Sequence, residues 1–359
     1  MKTNTKLPKY LSDIQTKVEK EGSGKNDLLS MPESPSTNTL LQVLGSGGGL
    51  DNLTQTSGSN TSLKVSSHGN ARQITHETDT TKTVIEIPDI NKVFGSGKTA
   101  KSNKTAKKVF NLVMLKISEQ VYRDGKLTGN AVLFPLQDLV DYGLYSSPRT
   151  ARRGFIEGME ALTSLKAKGE MSTKKGNVIA KTESMRVLFT GYDIINGQCR
   201  ILVQNDFDWR LMIQYHMPLP PYCFALPNKS YDLLYYIFYI ARQRVKDIEE
   251  KGFFIVKNRT IQHRLNLPNE KNTKNPRRDI KDVIETAITE IEDMHNEVYE
   301  NGELKITPMG YNEDDSIQTY LDKGYLKIEI TGGWATSFKE ISKAQKKQIG
   351  KTKKTTDKK

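Results

Sequence analysis

Ser147-Pro148-Arg149-Thr150-Ala151-Arg152-Arg153 is answered, 128 residues later, by Asn275-Pro276-Arg277-Arg278-Asp279-Ile280-Lys281. Each stretch opens a segment of helical period, and each follows a short apolar helix pattern. Proline suits the first position of a helix, where its missing N–H would have no intrahelical acceptor. Serine or asparagine just before it can cap the next free N–H groups. Carboxylates are the charges that suit this end of the helix dipole. Arginines placed there instead point to an external anion. Two such helices in one basic chain point to DNA.

Helical phase sorts the charges. In the first helix Ala151, Phe155, Met159 and Leu162 share one face, which belongs to a core. Arg149, Thr150, Arg153 and Glu157 fall on the opposite face and Arg152 on its flank. An exposed arginine at the start of a recognition helix can bind phosphate or read a guanine edge with two hydrogen bonds; a solvated helix face is the alternative. In the second helix Ile280, Ile284, Ala287, Ile288 and Ile291 define the core face. Arg278 points away and Lys281 lies at the edge, but Asp279 and Asp282 also face outward. Arg277 sits nearer the core side and has to snorkel.

Outward from these helices the two halves share a plan. A strand at 83–87 is followed by a helix from about Ala106 to Arg123, a brief strand at 131–134 and a short helix at 135–141. The first Pro-Arg helix runs from Pro148 to about Leu165. Strand-like runs follow at 177–181, 185–192 and 198–203, with Asn196-Gly197 as a hairpin turn. The second half offers a long apolar helix at 229–247, a strand at 253–256, a short helix at 260–265 and the second Pro-Arg helix at 276–298. Strands at 304–307 and 325–330 close it. This order predicts an α+β fold of two tandem winged helix-turn-helix domains, 81–217 for dimerisation and backbone contacts and 218–335 for recognition. The proline-rich stretch Tyr215 to Pro227 reads as the linker. Lys166, Lys168, Lys174 and Lys175 surround the Gly169 and Gly176 turn as a basic wing able to touch phosphate, or as solubilising lysines.

Residues 1–80 are rich in Ser, Thr, Asn and Gly and carry eight basic and eight acidic side chains. They read as a disordered arm. Its Leu28-Leu29 and Leu40-Leu41 with Val43-Leu44 are docking peptides or occasional aliphatics in a tail. The net charge of +12 therefore lies further on. Lys98 to Lys108, including Lys104, Lys107 and Lys108, holds five lysines and no acid, and the tail at 336–359 is lysine-rich. Such runs add affinity and salt dependence without specificity.

Only Cys199 and Cys223 occur, which excludes a disulfide framework or a four-cysteine zinc site and suits a reducing cytoplasm. The histidines show no ligand spacing. No signal-peptide core opens the chain, and the apolar run Tyr231 to Ala241 is too short to span a bilayer. Gly95-Ser96-Gly97-Lys98-Thr99 resembles the end of a phosphate-binding loop, but Lys92 stands where that loop needs its first glycine. Asp206-x-Asp208 could hold a divalent ion, or cap the helix that carries Trp209, Leu211 and Met212. No His-hydrophobic-His motif for a nicking enzyme is present. Neither cofactor nor metal is expected, and no catalysis.

The strand-then-helix entry Thr83 to Val121, the Leu136 to Leu165 pair, Lys229-Ser230-Tyr231-Asp232-Leu233-Leu234-Tyr235 and the Asn275 to Ile291 helix together resemble the iteron-type plasmid replication initiators. The resemblance covers roughly Thr83 to Thr331. It implies two winged-helix domains that bind direct repeats in double-stranded origin DNA. It implies monomers that open the origin, and dimers, joined through the first domain, that repress. It also implies recruitment of the host initiator and replicative helicase. A tandem winged-helix transcriptional regulator has the same residues, and a nicking enzyme or primase is the alternative among enzymes. The long arm, the lysine tail and the acids on the second helix depart from the family plan.

Overall fold

The computed structural model describes residues 7–21, 28–46, 61–94, 104–123, 125–299, 302–340 and 343. The chain begins with α1 (Lys9–Glu21), β1 (Leu29–Glu33), α2 (Pro35–Ser46), β2 (Thr61–His68), β3 (Ala71–Thr78), β4 (Thr81–Ile87) and α3 (Ile90–Phe94). Next come α4 (Lys104–Gln120), β5 (Tyr122–Arg123), β6 (Lys126–Leu127), β7 (Ala131–Pro135), α5 (Asp138–Asp141) and α6 (Pro148–Ser164). They are followed by β8 (Lys166–Ser172), β9 (Val178–Val187), β10 (Phe189–Ile195), β11 (Gln198–Val203) and β12 (Tyr215–Leu219). The rest comprises α7 (Asn228–Gln243), α8 (Val245–Lys251), β13 (Phe253–Lys257), α9 (Asn258–Arg264), α10 (Asp282–Val298), β14 (Leu304–Met309), α11 (Ile317–Asp322) and β15 (Tyr325–Ile330). A closing helix covers 332–340. The chain thus mixes helix and sheet, in two compact units: Met31–Gln214, and Met1–Ser30 with Tyr215–Lys359.

In the first unit α4 and α6 pack together over a three-stranded antiparallel sheet ordered β10-β11-β7. Phe110, Val113, Phe155, Met159 and Leu162 are buried there. Asn196 and Gly197 both adopt positive φ, 50° and 74°, and close the β10–β11 hairpin. That is the turn chemistry a two-residue hairpin loop requires. A second sheet runs β2-β3-β4-β8-β9, antiparallel throughout.

This second sheet overturns two expectations. Much of 1–80 is not a disordered arm. Thr61–His68 pairs in register with Ala71–Thr78, and Ala71–Thr78 with β4, whose Val84, Ile85 and Ile87 are buried. In α2, Leu40, Leu41, Val43 and Leu44 are buried in the chain's own fold, so they are neither tail aliphatics nor free docking peptides. The polar composition is accommodated because its buried members find partners. Ser34 donates to the Leu211 carbonyl at 2.6 Å, Thr37 to that of Met212 at 2.7 Å, and Ser36 pairs with Thr83 at 2.6 Å. Buried hydroxyls so matched cost little, and the flanking aliphatics supply the burial. The β8–β9 hairpin, expected as a wing, belongs to this sheet as well. Gly169 is no turn glycine but lies within β8, where a Cβ would meet the Lys82 carbonyl oxygen at 2.8 Å. Pairing with a strand more than 80 residues earlier is invisible to local pattern.

The second unit places β13-β15-β14 in one antiparallel sheet. It packs against α8, α9 and α10, and α7 packs on α10, with Leu233, Leu234, Ile237, Ile284, Ile288 and Ile291 in the core. The expected linker at 215–227 is instead part of this core: Met217, Leu219, Tyr222, Cys223 and Phe224 are all buried. Helix α1 also belongs here, with Leu11 buried and Gln15 donating to the Glu297 carbonyl at 3.0 Å near the end of α10.

His295, on the last turns of α10, is buried among Tyr222, Tyr299 and Trp334, with the Tyr222 hydroxyl 3.3 Å from Nδ1. Burial pushes its pKa down from 6.5 to about 4. Above pH 6.5 native and unfolded states are both neutral. As pH falls from there towards 4, the unfolded chain binds a proton that the native state refuses, so stability is lost over that window. The loss reaches up to about 3 kcal/mol at pH 4. Urea midpoints followed through Trp334 in a Trp209→Phe background will fall accordingly, and a His295→Phe variant will flatten the dependence.

Candidate nucleic-acid interface

The first Pro-Arg helix has the anticipated start. Ser147 is extended (φ −156°), and its hydroxyl accepts from the Thr150 N–H at 3.3 Å while Thr150 Oγ1 accepts from the Ser147 N–H at 3.2 Å. This reciprocal cap satisfies two N–H groups at once. It also gives Thr150, expected as a DNA contact, a structural role. Arg149, Arg152 and Arg153 are exposed, while Ala151, Phe155, Met159 and Leu162 are fully buried on the far side. Arg153 lies 3.7 Å from Glu157 with both side chains largely exposed, a pairing worth little in water. Three arginines therefore stand in solvent at the positive end of a dipole, where each is mildly unfavourable without an anion.

What holds α6 in place was not evident from the arginines. Lys116 on α4 reaches Asp138 of α5 at 2.9 Å and lies 5.3 Å over the Tyr142 ring. The hairpin tip is tied back by the Leu136 N–H, which donates to the Gly197 carbonyl at 2.8 Å. Tyr145, in the turn between α5 and α6, packs on Gly154, where a Cβ would overlap its ring. Gly158, one turn on, lets Val109 of α4 approach. Gly154→Ala gains about 1 kcal/mol of helix propensity, yet overpacking costs about 1–3 kcal/mol. The ring is buttressed by Thr105, so the variant will unfold at lower urea; an unchanged midpoint would show that the ring swings aside freely. The Gly-x-x-x-Gly spacing was a legible signal for this close packing.

Other expected basic residues separate from this surface. The hairpin sharing a sheet with β7 and packing on α6 is β10–β11, through the edge-to-face pair Phe155–Tyr192 at 5.9 Å. Lys174 and Lys175 are exposed at the tip of β8–β9, in the other sheet. Lys104 opens α4, with Lys107 and Lys108 half-buried on it. The phosphate-loop-like stretch at 95–99, the lysines between 98 and 103, and most of the tail lie outside the described residues.

The second Pro-Arg helix begins differently. The Asn275 side chain accepts from the Arg278 N–H at 3.3 Å, as capping requires, but Arg277–Lys281 forms a π turn before α10. Lys281, expected as a DNA contact, is 5% exposed. Its ammonium donates to the Glu313 carbonyl at 3.1 Å and lies 5.3 Å over Tyr311 and 5.7 Å over Tyr320. The insert between β14 and β15, which contains α11, supplies all three partners and covers the lysine. A helical wheel cannot see such a cover. Arg277 is exposed but also donates to the Glu313 carbonyl at 3.3 Å. Arg278 is exposed as well, yet its guanidinium holds Asp279 at 2.9 Å. Hydrogen bonds from Thr273 and Arg278 keep the Asp279 carboxyl below its ordinary pKa.

Arg259 on α9, which the sequence did not single out, ties this region together. It bonds Glu270 at 2.8 Å and Asp322 at 2.6 Å, clamping the loop before the π turn to the end of α11. Charge follows the same division. Between 81 and 214 there are 21 lysines and arginines against 13 acids, and between 215 and 340 there are 17 against 20. Asp208 caps the turn Trp209–Leu211 and binds Arg210 at 2.6 Å. Among the described residues no cluster of His, Cys, Asp and Glu could hold a metal ion, and no helix is long and apolar enough to cross a membrane.

No family model matches the sequence, and no curated protein matches it. The solved structures that match the chain include two of RctB. One, of selenomethionine derivatives of domains 2 and 3 of RctB, is 7% identical with a TM-score of 0.42, covering 80% of this chain and 98% of that one. The other, RctB 155–483, is also 7% identical at 0.42 and covers 82% of this chain and all of the other.

Proposed function

We propose that the protein binds double-stranded DNA in a sequence-dependent way, and that α6 supplies the main contact. The observation that carries this is the capped N-terminus of α6, with Arg149, Arg152 and Arg153 exposed over a fully buried opposite face. An N-terminus so presented suits the major groove. The winged helix-turn-helix reading is supported by an order shared by the two units: strand, short helix, Pro-Arg helix and two further strands of the same sheet, with β8 and β9 of the other sheet interposed in the first unit. In both, the last strand pairs with the first and with its own predecessor, β7-β11-β10 and β13-β15-β14.

The setting we infer is replication initiation at an origin of direct repeats, as the sequence resemblance implies. The protein opens the origin, recruits the host initiator and helicase, and autorepresses its gene, with no catalysis of its own, in the cytoplasm. Its test is binding of the full chain to duplexes carrying the direct repeats that flank its gene, against scrambled duplexes at the same salt. A preference of at least a hundredfold, with a footprint on each repeat, is expected. Equal binding to scrambled duplex, or metal-dependent cleavage of the DNA, would sink the reading.

A further inference from the structure

In both three-stranded sheets the first strand is an edge with an exposed aliphatic at its centre: Leu133 on β7 (53% exposed) and Ile255 on β13 (52%). A bare edge is a template for pairing with another chain. On β7 that template is blocked. The Gln120 amide donates to the Leu133 carbonyl at 2.7 Å and accepts from its N–H at 3.0 Å. Among the described residues no side chain does this for Ile255.

The solvent face around Ile255 forms three rows across β13, β15 and β14: Phe253-Glu329-Lys305, Ile255-Lys327-Thr307 and Lys257-Tyr325-Met309. Antiparallel pairing of β13 with itself about Ile255 would set Ile255 against Ile255 and Lys257 against Phe253, twice. Such a two-fold contact is self-complementary. Each Lys257 would lie beside the second copy's Phe253 and, one strand further, its Glu329. The two Lys327 side chains would be three strand spacings apart, about 14 Å, beyond the screening length of about 8 Å at physiological salt. Lys257 would thus reach the second copy's Glu329 together with its Lys327, whose ammonium lies 4.7 Å from the Phe253 ring and 2.9 Å from Glu329, so that each Glu329 stands between two lysines. A slip by one residue would turn the exposed face of one copy against the buried face of the other.

We propose that β13 is a self-association edge, through which two copies of this chain join their second-unit sheets into one of six strands. This differs from the first-domain dimer that the sequence resemblance implies, and needs no DNA. The test is sedimentation equilibrium of the full chain, with mild oxidation of cysteine variants. The wild type will dimerise weakly and reversibly across the micromolar range. Phe253→Lys, which sets lysine against Lys257, will weaken the dimer at least tenfold, and adding Lys257→Glu will restore it. Ile255→Cys will form a disulfide-linked dimer, because residues paired across antiparallel strands have Cα atoms about 5.5 Å apart, within disulfide reach. Leu133→Cys will not, and native Cys199 and Cys223 are buried. A monomer at every concentration, crosslinking through position 133 and not 255, or no rescue by the double variant would overturn the proposal. Circular dichroism on each variant separates loss of pairing from loss of fold.

Discussion

Replacing Arg149, Arg152 and Arg153 together with alanine will lower duplex affinity by about two to four orders of magnitude, while leaving the protein as stable as before or more so. Each arginine bonded to a base edge or phosphate contributes roughly 1–3 kcal/mol, and tenfold in affinity is about 1.4 kcal/mol. The salt dependence will flatten by about 0.9 for each phosphate no longer neutralised. Stability moves the other way because three cations leave the positive end of a helix, each removal favourable by roughly 0.3–1 kcal/mol. The one intrahelical partner given up, Glu157, is an exposed pairing of a few tenths of a kcal/mol. Opposite signs for binding and stability separate a ligand-binding role from a packing role, and titrations with parallel urea melts read both. Arg278→Ala will cost less affinity, since its guanidinium already holds Asp279. Lys281→Ala will cost stability instead, by about 2 kcal/mol, by removing a buried side chain together with its hydrogen bond to the Glu313 carbonyl and its contact with the Tyr311 and Tyr320 rings. An equal loss of affinity from Lys281→Ala and from the triple variant would refute the division between the two helices.

The second large effect is at the C-terminus. Composition alone sets the start of the basic tail near 336, but the closing helix runs to 340. Trp334 and Phe338 are buried in it at ring distances of 5.8 and 5.6 Å from Phe238. Truncation after Ser337 removes Phe338 and will destabilise the second unit by about 3–5 kcal/mol, as large aromatic deletions in cores do. Truncation after Glu340 removes eight lysines and leaves both rings in place. It will keep the urea midpoint and sequence preference while flattening the salt dependence. Equal midpoints for the two truncations would show that Phe338 contributes nothing to the core.

By itself the sequence determined whatever depends on neighbours along the chain. The two Pro-Arg helix starts and their caps, the buried faces Ala151-Phe155-Met159-Leu162 and Ile280-Ile284-Ile288, and the Asn196-Gly197 turn are set within a few residues. Their periodicity, capping chemistry and turn preference need no distant partner. Tertiary structure decided the rest. The pairing of β4 with β8 took the supposed wing into another sheet and gave order to residues whose composition reads as a tail. The insert bearing Glu313, Tyr311 and Tyr320 buried Lys281, and Gln120 covered one sheet edge while its counterpart stayed open. Each depends on segments from 13 to more than 80 residues apart meeting in space, where burial and hydrogen bonding override local preference. The repeated helix start thus specified two equivalent positions in the fold, and the groups folded over them made the two helices unequal.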